Sequence, residues 1–165
     1  MLREYRLDDW EAVHVYNSNA EALRFESWGP NSAIQTKAFV RKAMDQLAGK
    51  HPRRLELAVC LKQDGRLIGG CGLRLGEPRK GMATIGYTFN PAFWGMGYAT
   101  EAAMGMIELA KEMPGIHTLF AACDSQNLAS QRVLEKCGLQ AVGMIAELEM
   151  VKGRFRDMLL YERIL

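Results

Sequence analysis

The sequence predicts an α+β fold, a largely antiparallel sheet with helices on its faces. Three observations carry this. Residues 55–61, 67–75 and 82–90 form strand-length runs joined by short turns, and short connections force antiparallel pairing. Residues 94–97 form a glycine-punctuated turn that opens a helical run. Two last strand runs, 139–151 and 155–164, meet at Lys152-Gly153-Arg154.

Taken in order, residues 2–6 suit a first strand. Asp8 and Asp9 suit the start of a helix reaching about Asn17, by capping and by charge at its first turn. Residues 19–31 are irregular and end in Trp28-Gly29-Pro30-Asn31. Ser32 caps a second helix, in which Phe39, Val40, Ala43, Met44 and Leu47 keep a helical period, and residues 49–52 stop it. Leu55, Leu57, Val59 and Leu61 then alternate with Glu56, Ala58, Cys60 and Lys62, the pattern of a half-buried strand. Asp64-Gly65 is a hairpin turn. Gly69, Gly70 and Gly72 in the returning strand imply a bulge or a close neighbour. The loop 76–81 leads into strand 82–90, which Pro91 ends.

The helix that follows carries Ala99, Ala102, Ala103, Met106, Ala110 and Met113 at helical spacing, and Gly105 adds to a surface that permits close packing on a sheet. Met113-Pro114-Gly115 breaks the chain before the apolar run 116–123, a strand of the sheet interior. A helix from about Asn127 to Cys137 ends at Gly138, with Val133, Leu134 and Cys137 on its buried face and Ser130 in line with Leu134. No repeat or linker interrupts the 165 residues, so residues 1–165 are expected to form a single domain.

Composition narrows the function. A net charge of +2 with mixed signs throughout gives no electrostatic footprint for nucleic acid. No apolar run has membrane-spanning length and the first residues lack a signal-peptide core, so the expected location is cytoplasmic. Cys60, Cys71, Cys123 and Cys137 form no Cys-x-x-Cys pair and fall in apolar segments, as buried, inert thiols do. His14, His51 and His117 lack ligand spacing, so no metal is expected.

The turn at Gly95 and Gly97 points main-chain N–H groups at one spot, at the positive end of a helix dipole, which suits a phosphate or pyrophosphate. A dinucleotide is disfavoured. Gly95-x-Gly97-x-x-Thr100 lacks the third glycine, no acidic residue follows about 20 positions on, and the preceding strands are hairpin-linked.

Together with this turn, Gly86-Tyr87, Trp94-Gly95-Met96-Gly97-Tyr98-Ala99-Thr100-Glu101-Ala102, Asn127-Leu128-Ala129-Ser130 and Glu135-Lys136-Cys137-Gly138-Leu139 resemble the GNAT superfamily of N-acetyltransferases. Arg6-Leu7-Asp8-Asp9 and Gly153-Arg154-Phe155-Arg156-Asp157 are similar to its branch of ribosomal-protein N-terminal (alanine/serine) acetyltransferases. The resemblance implies a mixed, mostly antiparallel sheet of about six to seven strands flanked by about four helices, splayed between the fourth and fifth strands. It implies acetyl-CoA as co-substrate. Its pyrophosphate would lie on Trp94, Gly95, Met96, Gly97, Tyr98, Ala99 and Thr100, and its pantetheine arm beside Thr88, Phe89 and Asn90 and on Asn127, with the thioester carbonyl meeting an N–H near Phe89. The chain departs from the pattern at Ala92, where a Gln or Arg is usual, and at Thr84, where this branch often has an acidic residue.

The implied reaction is direct acetyl transfer to a primary amine, a protein N-terminus or a small molecule, by a monomer or homodimer. Ser130, Tyr87 and Asn127 are the implied catalytic residues: Ser130 to protonate the leaving sulfur, Tyr87 to orient the amine or a water, Asn127 to hold pantetheine or a water. Each has an ordinary role as well, as packed hydroxyl, core tyrosine and helix cap. Asp124 and Glu101 read as capping or surface charges, and Glu26 and Trp28 as candidates to shape an acceptor pocket. A non-catalytic acyl-CoA sensor with the same cleft is the alternative.

Overall fold

The computed structural model describes residues 1–49, 53–76 and 78–165, so residues 50–52 of the expected helix stop and Glu77 of the expected loop lie outside the described residues. The elements run β1 (Leu2–Arg3), α1 (Trp10–Asn17), α2 (Ala33–Ala48), β2 (Arg54–Cys60), β3 (Leu67–Leu75), β4 (Met82–Phe89), α3 (Tyr98–Lys111), β5 (Thr118–Asp124), α4 (Leu128–Lys136), β6 (Gln140–Val151) and β7 (Arg154–Ile164). The strands form one sheet in the order β1-β2-β3-β4-β5-β7-β6. Every pairing is antiparallel except β4 with β5. Among the described residues, no helix is long and apolar enough to cross a membrane.

Two apolar layers sandwich the sheet. One holds α3 and α4 residues such as Ala103, Met106, Ile107 and Leu134 against Leu57, Leu73, Ile85 and Leu119. The other holds Val13, Tyr16, Val40 and Ala43 of α1 and α2 against Ala58, Cys60 and Leu67. The strand over residues 55–61 is therefore covered on both faces rather than half-buried. Its even-numbered positions Ala58 and Cys60 are small and apolar, and α1 and α2 pack onto them. The α3 stripe packs as its spacing predicts, and Gly105 admits Leu2 of β1, whose side chain would lie 3.0 Å from an added Cβ.

The first strand is shorter than predicted. Pairing stops at Arg3 because the chain turns inward at Tyr5, buried in the α1–α2 layer, and then forms a 3-10 turn at Leu7–Asp9. Asp9 holds this corner rather than capping α1. Its carboxylate accepts two bonds from the Arg3 guanidinium, at 2.6 and 2.7 Å, and one from the Arg6 N–H at 2.7 Å. Ser32 does cap α2, in a reciprocal pair with Gln35. Of the β3 glycines, Gly69 meets both expectations, for it adjoins a bulge and has close neighbours: a Cβ there would lie 2.6 Å from the Phe89 ring and 2.7 Å from the Thr88 carbonyl. The register shift lies beside it in β3: Val59 pairs with Gly69 and Cys60 with Leu67, which leaves Ile68 as the extra residue.

Two outcomes follow. Gly69→Ala should lower the urea midpoint, with a loss of about 1–3 kcal/mol and an unchanged m-value, because backbone cannot yield as a flexible side chain can. For Asp9, burial raises the carboxyl pKa, but the Arg3 guanidinium and Arg6 N–H outweigh it and leave the pKa below its ordinary value. The stabilisation is therefore complete above the unfolded carboxylate range near pH 4 and is lost as pH falls through the lower folded value. Denaturant titrations of Asp9→Asn should show reduced stability at pH 7 and a flatter loss below about pH 4 than the parent.

Candidate active site

The site begins where the sheet comes apart. β4 and β5 pair only at Met82–Thr118, Ala83–Leu119 and Thr84–Phe120, although β4 continues to Phe89 and β5 to Asp124. Beyond Thr84 the strands diverge, as expected between the fourth and fifth strands. On its other side β4 stays bonded to β3 as far as the Asn90 N–H, which donates to the Ile68 carbonyl at 2.9 Å. Ladder bonds alternate along a strand, so Ile85, Tyr87 and Phe89 turn their N–H groups toward the gap. The Phe89 carbonyl is occupied by the Trp94 indole N–H at 3.0 Å.

The turn after β4 is held by local bonds. The Asn90 side chain accepts from the Ala92 N–H at 3.1 Å, and the Trp94 N–H donates to the Pro91 carbonyl at 3.1 Å. Gly95 and Gly97 have φ of +75° and +85°, and a Cβ on either would meet open space. The Glu101 N–H makes the first helical bond, to the Gly97 carbonyl at 3.0 Å. The N–H groups of Gly95, Met96, Gly97, Tyr98, Ala99 and Thr100 precede it and have no protein partner among the described residues, a cradle at the positive end of α3. Tyr98 packs edge-on against Phe93, and the Cys137 thiol donates to the Thr100 carbonyl at 3.7 Å, tying α3 to the end of α4.

Tyr87 and Ser130 meet across the gap, with their hydroxyls 3.0 Å apart. Burial pushes the Tyr87 phenol well above its ordinary pKa, partly opposed by the Ser130 bond. The Asn127 side chain accepts from the Ser130 N–H at 3.2 Å, so it caps α4 and sets the turn that aims Ser130. Its amide nitrogen has no protein partner among the described residues. Thr88 is half-buried on the opposite face of β4 from Tyr87.

That opposite face opens into a cavity of about 480 Å³, reaching from Asn127 and Ser130 through the gap to Glu26, Trp28 and Glu56. The Trp28 indole donates to Glu26 at 3.0 Å. Lys152, at the turn between β6 and β7, donates to the Trp28 carbonyl at 2.9 Å and to that of Gly29, so the last hairpin fastens the 19–31 loop over the cavity. Asp124 is a capping residue, as expected, accepting from the Gln126 N–H at 2.7 Å. It is not a surface charge: it is 2% exposed and faces Arg156 at 3.7 Å. Glu101 is exposed, as expected.

Sequence reasoning missed Glu56. Burial raises its pKa, against the opposing pull of Arg54 and Arg74. Its place in an alternating run marked it as a solvated face, and only pairing shows the glycines beside it. The thiols are inert as expected: burial pushes Cys123 up to about 11 and Cys71 up to about 12, so both stay protonated near neutrality.

Residues 1–140 match the family profile described as acetyltransferase (GNAT) domain. The chain belongs to the GNAT acetyltransferases. It is 32% identical over 145 residues to the uncharacterized N-acetyltransferase YnaD of Bacillus subtilis, covering 87% of this chain and 80% of that protein. Its fold is similar to that of a GNAT acetyltransferase from Bacillus anthracis, with a TM-score of 0.88 and 26% identity over 99% of this chain and 93% of the other. It is also similar to RimL, a ribosomal L7/L12 α-N-protein acetyltransferase solved with coenzyme A, with a TM-score of 0.87 and 20% identity over 99% and 93%. This GNAT enzyme is therefore an acetyl-CoA-dependent N-acetyltransferase.

The unspent N–H groups and the open space over Gly95 and Gly97 fit the diphosphate of that co-substrate. Gly97→Trp should weaken coenzyme A binding by about 100-fold or more, read by calorimetry, with the circular dichroism spectrum retained.

Proposed function

We propose that this GNAT enzyme moves acetyl directly to a primary amine within a ternary complex. The observation that carries the reading is the open β4 edge lying beside the Tyr87–Ser130 pair, with the cavity on its far side. Acetyl-CoA supplies an activated acyl group and a thiolate leaving group. The N–H groups of Gly95 to Thr100 hold its diphosphate, and the β4 edge receives its amide-bearing arm as an added strand.

The N–H groups of Ile85, Tyr87 and Phe89 are donors for the arm's carbonyls. The one that meets the thioester carbonyl stabilises the charge that develops on its oxygen. The family resemblance implies a donor near Phe89. Tyr87 and Ile85 stand deeper in the gap, at the level of the cavity, and belong to the same row of donors.

Ser130 gives its proton to the departing sulfur and is resupplied by the Tyr87 phenol, to which it is bonded, and the proton released by the attacking amine, passed through water, restores the phenol. A phenol with a raised pKa stays a proton donor throughout the neutral range. Asn127 fixes the Ser130 backbone and offers its free amide to the arm or to a water. The amine reacts only when neutral, so it loses its proton within the cavity. A peptide N-terminus and a small amine both fit the opening, and the α-N-terminal acceptor of RimL supports the first.

The test is thiol release from acetyl-CoA over a panel of peptides and small amines, with product mass. Transfer should occur without an acetyl-enzyme, and a product mass unchanged from the amine would overturn the reading. Tyr87→Phe and Ser130→Ala should each lower kcat about 10- to 1000-fold, with coenzyme A affinity little changed. Because burial raises the Tyr87 pKa, the parent enzyme should show no alkaline loss of kcat up to about pH 10.

A further inference from the structure

We infer that the acceptor is an amine carrying its own anionic group, with the ammonium held at Glu56 and the anion between Arg54 and Arg74. This rests on the transfer reading above and adds the class of acceptor.

Glu56 pairs with Gly72, and Gly72 with Gly86, so the three form a row across β2, β3 and β4. Two of the three lack side chains. A Cβ on Gly72 would lie 2.4 Å from a Glu56 carboxylate oxygen, whereas a Cβ on Gly86 would meet open space. The carboxylate thus lies over Gly72, and beyond it a bare corridor crosses Gly86 to the gap between β4 and β5. Larger residues at either position would close that path.

The next row on the same face holds Arg54 paired with Arg74. Like charges placed directly opposite across a ladder oppose each other. Neither guanidinium has a carboxylate within ion-pair distance among the described residues. Both line the cavity that holds Glu56. Rows on one face repeat every two residues, about 7 Å along the strand. An anion facing two unpaired guanidiniums, and a cation one row inward on a carboxylate, describe a ligand with both charges on a short frame. A polyamine would set positive charge against the arginines. A simple anion would meet Glu56.

The experiment uses the full chain loaded with coenzyme A for calorimetry, and with acetyl-CoA for thiol-release kinetics. The probes are aspartate, glutamate and glycyl-aspartate, each against its amide, with spermidine as the purely cationic amine. The acids should exceed their amides by about tenfold in kcat/KM. In Arg54→Gln and Arg74→Gln that ratio should fall toward one through KM, and Arg54→Lys should keep part of it. Glu56→Gln should weaken binding of acid and amide alike. Coenzyme A affinity checks that each variant is folded.

Amides or spermidine performing as well as the acids, or an acid-to-amide ratio unmoved by both arginine variants, would overturn the inference. Arginine-dependent binding of the acids without acetylated product would uphold it and remove the transfer reading. Equal transfer to acid and amide would do the reverse. Preference for glycyl-aspartate over free aspartate would place the anion in a peptide, and the opposite order in a free amino acid.

Discussion

A pair of parallel strands that parts after three residues leaves main-chain donors with nothing to bond, and main-chain groups away from water normally find partners. Here the gap survives because each strand is anchored on its outer side. β3 pairs with β4 along nearly its whole length, and β7 does the same for β5. The sheet can therefore be split at its centre without fraying. The rest of the molecule is arranged around that split. The start of α3 closes one end, α4 brings Asn127 and Ser130 to one face, and the glycine row brings Glu56 to the other.

Glycine performs two different services in this arrangement. At Gly95 and Gly97 it permits a left-handed backbone and clears the approach to the N–H groups. At Gly72 and Gly86 the backbone is ordinary strand, and what matters is the missing bulk on the face between a carboxylate and the gap. The first use follows the chain and is read along it. The second runs across three strands and has no local mark.

That difference explains what was legible in the sequence. Alternation located β2, the Asp64-Gly65 turn and the short connections located β3 and β4, the Ser32 capping signal located α2, and the glycine turn located the start of α3, because each is set by residues a few positions apart. Tyr87 and Ser130 could be singled out only by likeness to a family, since 43 residues separate them. The short β1 was unreadable because the chain turns inward to bury Tyr5, at a corner held by Arg3 and Asp9, and the two-sided burial of β2 because α1 and α2 return to cover its even-numbered positions. The insertion of β7 between β5 and β6 likewise depends on pairing that no local pattern records.

The fastening of the early loop to the last hairpin is made on one side entirely of backbone. Trp28 and Gly29 contribute only their carbonyl oxygens to Lys152, across more than a hundred residues of chain. Inside the loop the buried Leu23 and the Asn19 side chain, which accepts from the Glu21 and Ala22 N–H groups, keep its shape. The Trp28 side chain, by contrast, takes no part in the Lys152 contact and can be exchanged while that contact stays in place. A scaffold built this way can drift toward new guests at its entrance and leave the machinery beneath untouched.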